Sequence, residues 1–245
     1  MLDALVIILA GLIGGMLNSI AGGGSFITLP ALMLIGFSPI TANATGTVAL
    51  LTGYVASVWH SRHTIRKLPN NLTPYVIASL LGGMCGALIL NWSDEKHFDR
   101  LLPWLMLLST LAFVIGPKIT LLKTNAIRHQ YLQHFLILFA ICLYGGYFNG
   151  GVGIMLLAGL SIMTNTDIHN SNAIKNLMSV MLTTIASLFY WMADLIDFNL
   201  LFMMGISALF GGYLGSRLSY SLSQKNFRVI IIFLGCVMTL IYFNR

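Results

Sequence analysis

NSIAGGGSFITLP, residues 18–30, sets Gly22, Gly23 and Gly24 side by side in a stretch otherwise apolar enough for a membrane. A glycine inside a helix is less favourable than alanine by about 1 kcal/mol. The triplet therefore predicts that one helix stops here and another begins. The surroundings decide what such a break means. The chain has 245 residues, of which 57% are hydrophobic and 8% charged. An ordinary soluble domain carries about 25% charged residues, so this composition predicts an integral membrane protein with many spans. Backbone groups in lipid must bond internally, which leaves helices or a closed barrel. The apolar runs reach the roughly 20 residues of a spanning helix and lack the alternation of a barrel strand. The expected class is all-α and polytopic.

Membrane segments are expected at 3–21, 25–37, 43–59, 73–91, 101–122, 132–149, 150–163, 172–192, 198–216 and 228–243. The second and seventh are too short to span alone. Each is expected to join its predecessor as a glycine-broken helix or a re-entrant hairpin, leaving about eight transmembrane units. The first segment, MLDALVIILAGLIGG, has no basic residue before its apolar run and reads as a membrane segment rather than a cleaved signal. Trp59, Trp92 and Trp191 fall at segment ends, where aromatic belts form. Cys85, Cys142 and Cys236 lie in apolar segments at spacings that fit no metal framework and read as free thiols. The net charge of +6 comes from basic residues in short loops beside apolar spans, so it predicts membrane orientation and not nucleic-acid binding.

The chain repeats itself. GGMCGALILNWSDEKHF (82–98) aligns with GGYLGSRLSYSLSQKNF (211–227), and Gly82, Gly83, Gly86, Lys96 and Phe98 match their counterparts at a constant offset of 129. IGGMLNSIAGGG (13–24) aligns with YGGYFNGGVG (144–153), pairing Asn18 with Asn149. One transporter domain, 1–245, is expected, with repeat 1 over 1–122 and repeat 2 over 130–245. Loop 60–72 carries Arg62, Arg66 and Lys67, whereas its counterpart 192–199 has only Asp194 and Asp197. Loop 92–100 is slightly acidic, whereas 217–228 has Arg217, Lys225 and Arg228. The basic bias swaps sides between the halves, which favours an inverted repeat. The linker with Lys118, Lys123 and Arg128 then also lies inside. That arrangement holds if the pairs 3–37 and 132–163 each enter and leave on one side. If each pair crosses once, the repeats are parallel.

The glycine breaks are the first candidate site. A break inside the membrane frees N–H groups at the start of the next helix, where they and the helix dipole favour an anion. Gly22, Gly23, Gly24 and Ser25 would supply one side, and Asn149, Gly150 and Gly151 the other. Close small-xxx-small packing is the competing account. TANATGT (41–47) and NSNAIKN (170–176) form the second constellation. Thr41, Asn43 and Thr45 could cap a helix. Lys175 is a basic residue inside an apolar span, where a lysine costs about 2.5–3.5 kcal/mol at the helix centre. It either snorkels to the interface or pairs with an anion. Asn18, Asn149, Asn172 and Asn176 are neutral candidate ligands or interhelical glue. Asp3, Asp94, Glu95, Asp99, Asp167, Asp194 and Asp197 all fall at segment ends or in loops, which speaks against a carboxylate proton relay or a membrane carboxylate protease. His60 and His63 sit in a basic loop without carboxylates, and His169 precedes the Lys175 helix. No metal site, cofactor or enzymatic constellation is expected.

AGGGSFITLPALM (21–33) and GGYFNGGVGIM (145–155) resemble the TauE/SafE family of membrane permeases, also called sulfite exporters, and the resemblance runs along essentially the whole chain. Val152 interrupts the second glycine cluster. The resemblance implies transport of small anions, often sulfur-containing oxyanions or organosulfonates, across a bacterial-type cytoplasmic membrane. The expected partners are a small anionic substrate and the lipid bilayer, with a homo-oligomer compatible; nucleic acid is not expected. An anion channel or a non-transport membrane protein is the alternative.

Overall fold

The computed structural model describes residues 2–67, 72–121, 131–163, 168–219 and 224–244. Lys123, Arg128, Asp167 and the segment 220–223 of the second repeat motif lie outside the described residues, as does the side chain of Lys225. Eleven helices and no strand occur among the described residues. They are α1 (Leu2–Ile20), α2 (Ser25–Leu34), α3 (Pro39–His60), α4 (Arg62–Arg66), α5 (Thr73–Trp92) and α6 (Glu95–Leu121). The second part of the chain holds α7 (Tyr131–Tyr147), α8 (Val152–Met163), α9 (Ile168–Met192), α10 (Phe198–Leu218) and α11 (Gln224–Phe243).

By length and composition, α1, α5, α6, α9 and α10 can cross a membrane. Leu5 and Ile8 on α1, Phe202 and Phe210 on α10, and Phe233 and Ile241 on α11 all point outward. So continuous an apolar exterior has no place in water and fits lipid. The protein is a multi-pass membrane protein. Trp59, Trp92 and Trp191 are largely exposed at the ends of α3, α5 and α9.

Both glycine-rich stretches break the helix. α1 ends at Ile20 and the short α2 starts at Ser25, while α7 ends at Tyr147 and the short α8 starts at Val152. Gly22 (φ +85°) and Gly151 (φ +74°) take left-handed backbone that a side chain would strain. Three expectations change in detail. The basic loop 60–72 contains the helical turn α4. Helices α6 and α9 begin several residues before the expected 101 and 172, because polar ends escape an apolar window. α3 is capped by Ser38, whose Oγ accepts from the Thr41 N–H, and not by Thr41, Asn43 or Thr45, which lie inside the helix. At the α5–α6 turn, the Asp94 carboxylate accepts from the His97 backbone N–H at 2.7 Å. That bond, with the nearby ring, holds the carboxyl below its ordinary value.

The packing of the helices is reciprocal. α1 lies along α10 and α7 along α5; α3 also packs on α10 and α9 on α5. Glycines set these approaches. A Cβ on Gly83 would stand 2.6 Å from the carbonyl oxygen of Leu182, and a Cβ on Gly212 would meet the backbone of Gly53. Gly83 and Gly212, like Gly53 and Leu182, are 129 residues apart. The repeated residues thus make repeated contacts.

Replacing Gly83 or Gly212 by Ala should destabilise the bundle by about 1–3 kcal/mol, because the obstacle is backbone. A Cβ on Gly205 would meet only a Thr52 methyl at 3.6 Å, so Gly205→Ala should be neutral. Thermal unfolding in detergent reads both; equal melting of all three variants would refute the account.

Candidate functional site

The two breaks touch. Gly22 and Gly153 face each other so closely that a Cβ on either would collide with the α-carbon of the other. The helices ending there, α1 and α7, leave carbonyls without intrahelical donors, and these ends lie inside the bundle. Gly22 N–H returns to Leu17 O and Asn18 O at 3.2 and 3.0 Å. Further donors reach these ends from the other half of the chain, one of them sharing Asn18 O with Gly22. Lys175 Nζ, on α9, donates to Asn18 O at 3.4 Å and Ser19 O at 3.2 Å at the end of α1. Asn43 Nδ2, on α3, donates to Tyr147 O at 3.0 Å at the end of α7. Each long helix after a break sends a donor into the break of the opposite half.

The Lys175 side chain is fully buried. A Cβ on Gly153 would lie 3.5 Å from its Cδ, so the lysine passes the seam where the breaks meet. Its ammonium sits at the negative end of α1. Among the described residues, side chains of opposite charge pair at His97–Asp94, far from the seam, and no carboxylate there neutralises Lys175. Snorkelling, the alternative raised by the sequence, does not describe this residue.

Neutral polar groups surround the lysine. Asn18 Oδ1 accepts from the Gly24 N–H at 3.3 Å and from the Tyr54 hydroxyl at 3.1 Å. With its oxygen doubly held, Asn18 turns Nδ2 away, and that atom has no protein partner. Ser179 and Asn149 lie near the Tyr54 hydroxyl without a hydrogen bond to it. Both side-chain atoms of Asn149 and of Asn176 lack a hydrogen-bond partner, as do the hydroxyls of Ser25, Ser179 and Thr183. All five residues are buried. Each such group left dry costs about 1–3 kcal/mol. Those of Asn149 and Ser179 lie near Tyr54, and such unpartnered buried groups suit a polar ligand or water.

The expected site residues fall into two sets. Asn18, Gly22, Asn149 and Lys175 converge on the seam, and Ser25 starts α2 just beyond it. Gly23, Gly24, Gly150 and Gly151 serve packing in this conformation. Gly23 faces the Ile231 side chain on α11, and Gly24 faces the Gly14 carbonyl. Gly150 O accepts from Ser109 Oγ at 2.7 Å and Tyr144 Oη at 3.0 Å, and Gly151 lies against Ser109. Asn172 is half-buried near the start of α9, with its Oδ1 lacking a partner. Nothing in the sequence singles out Tyr54, Ser179 and Thr183; a hydroxyl in an apolar run carries no local signal of its direction. Among the described residues, no group of three His, Cys, Asp or Glu side chains could hold a metal. His60 instead stacks edge-on against Tyr213, and His169 is exposed.

Residues 7–242 match the family model described as sulfite exporter TauE/SafE. The probable membrane transporter protein YfcA of Escherichia coli strain K12 is 27% identical, with 96% of this chain and 87% of that protein aligned. A probable membrane transporter protein of Haemophilus influenzae is 24% identical over 97% of this chain and 94% of its own. Another, ORF9 of a Sinorhizobium species, is 22% identical over 94% and 88%.

Asn43→Ala should lower stability by about 1–2 kcal/mol by baring the Tyr147 carbonyl. Asn43→Asp should lower it further, since it turns an acceptor towards an acceptor. Urea or thermal unfolding tests the order, and an Asp variant as stable as wild type would refute the cross-half cap.

Proposed function

The chain belongs to the sulfite exporter TauE/SafE family of membrane transporters, and from that footing we propose that it is a secondary permease for small anions. The cargo would be sulfur-containing oxyanions, organosulfonates or related organic anions, and the membrane the cytoplasmic one. The observation that carries this reading is Lys175, a buried ammonium at the meeting of two helix breaks with only main-chain oxygens as hydrogen-bond partners. A buried cation without a counter-charge is costly. An arriving anion lowers that cost, and the orphaned amides of Asn18, Asn149 and Asn176 with the hydroxyl of Ser25 can complete its hydrogen bonds.

In this proposal the two repeats, 1–122 and 130–245, are inverted, and the broken pairs α1–α2 and α7–α8 each enter and leave on one side. About eight transmembrane units result. The reciprocal packing supports this plan: the partners of α1, α3 and α5 in one half correspond to those of α7, α9 and α10 in the other. Alternating access follows from rocking one repeat against the other around the seam. The groups gathered at the seam are amides, hydroxyls and one ammonium, a set suited to holding an anion and releasing it unchanged.

The test is flux into proteoliposomes loaded in turn with sulfite, thiosulfate, sulfonates and carboxylates. Saturable exchange is expected, whereas ohmic current would favour a channel. Lys175→Gln keeps N–H donors for the α1 carbonyls but removes the charge. Hydrogen bonds to charged groups contribute about 1.5–3 kcal/mol, so flux at low anion concentration should fall about tenfold or more while the protein still inserts. Undiminished flux in that variant would remove Lys175 from substrate binding.

A further inference from the structure

Asn172, Asn176, Ser179 and Thr183 recur along α9 at steps of four, three and four residues. That spacing puts them on one helix face. The last three are fully buried. Every one of the four has at least one side-chain atom without a hydrogen-bond partner. The opposite side of α9 is conventional: Ile174, Met178 and Leu182 enter an apolar cluster with Ala78, Leu138 and Cys142.

The two hydroxyls on the polar face belong, with those of Ser25, Thr28 and Thr239, to a minority in the bundle without a hydrogen-bond partner. Serine and threonine in a membrane helix ordinarily bond back to the carbonyl four residues earlier. Ser57, Ser61, Ser79, Ser109, Thr110 and Ser187 all do so here, at 2.6 to 2.8 Å. Ser187 does it one turn after Thr183 on the same helix. Ser179 and Thr183 do not. Their hydroxyls do not return to the helix, and Tyr54 from α3, whose hydroxyl donates to Asn18 Oδ1 at 3.1 Å, lies near Ser179. The face therefore opens on the same polar neighbourhood as Lys175.

We propose that this face of α9 is the lane along which the anion moves past Lys175, handed between amides and hydroxyls. From Asn172 to Thr183 it spans about 16 Å, at 1.5 Å per residue, or roughly half of a bilayer core. The lane holds one fixed charge, Lys175, and beyond it only neutral donors. Such an order draws an anion in without trapping it, since a path must bind weakly at several places to release its cargo. Tyr54 acts as a positioning residue, holding Asn18 Oδ1 so that Nδ2 faces the lane. The lane rests on the permease reading for its cargo, but its access to water can be measured without knowing the substrate.

The test uses the full chain with Cys85, Cys142 and Cys236 replaced by Ala, reconstituted in liposomes. Single cysteines are placed at Ser179, Thr183 and, as a control, Leu182. The probe is sulfonatoethyl methanethiosulfonate, itself an anionic sulfonate, with modification followed by mass spectrometry. Ser179→Cys and Thr183→Cys should react at least about tenfold faster than Leu182→Cys, because thiol modification follows exposure of the thiolate. Adding Lys175→Gln should slow both. Reaction at the Leu182 rate would overturn the lane, and a rate indifferent to Lys175→Gln would overturn the place of Lys175 on it. Ser179→Cys is nearly isosteric, so it alone decides if Thr183→Cys fails to assemble. A failure of the flux assay with fast labelling would count against the cargo and leave the lane, so the two readings fail separately.

Discussion

A helix that ends inside a hydrophobic bundle leaves carbonyl oxygens that water cannot reach. The remainder of this structure is arranged around that constraint. α1 and α7 both end in the interior, and their last carbonyls are met by Lys175 and Asn43, donors carried on the long helix of the opposite half. Tyr190 adds its hydroxyl to Gly146 O, and Ser109 with Tyr144 holds Gly150 O. The breaks are thus held by hydrogen bonds from Lys175, Asn43 and Ser109 across the halves and from Tyr190 and Tyr144 within the second. Neither half could fold alone around its own break without losing partners supplied by the other.

The two caps differ in one respect that the packing alone would not suggest. The α7 end receives a neutral amide, while the α1 end receives an ammonium. Capping a carbonyl needs only a donor, and Asn43 shows that an amide suffices. A lysine at the equivalent task brings a charge in excess of what capping requires, and burial makes that excess costly. The proposal of an anionic cargo answers why it is there. The glycines next to it have the complementary duty. At Gly22 and Gly153 they let two main chains meet beside the Lys175 stem.

The break at Gly22–Gly24, the break of equal length after Tyr147 and the interior lysine could all be read directly from the sequence. Adjacent glycines and a charge are both costly in an apolar helical run, so each marks a place where something must offset that cost. The close helix contacts were legible for a related reason, because backbone meeting backbone admits only glycine. Other features were hidden by how side chains act at a distance. Asn43 looked like a helix cap, being close behind Pro39, but Ser38 takes that place and Asn43 reaches across to Tyr147. Ser179 and Thr183 looked like any membrane hydroxyl, since the sequence does not record whether an oxygen turns back to its own helix or outward. Tyr54 reads as one more aromatic among apolar neighbours. Nor does the sequence show that the Gly150 carbonyl is held by side chains of α6 and α7.

The contact between Gly22 and Gly153 also bears on how this chain could change over generations. Most tight packing can be relaxed by trimming a neighbour: a methyl gained on one helix is accommodated by one lost on the next. Here the neighbour is the main chain itself, with nothing to trim. A mutation at either glycine has no reciprocal mutation that would rescue it. Gly53 with Gly212 and Gly83 with Gly146 meet in the same way, so at each of these points the two parts of the chain are tied to each other by main-chain geometry.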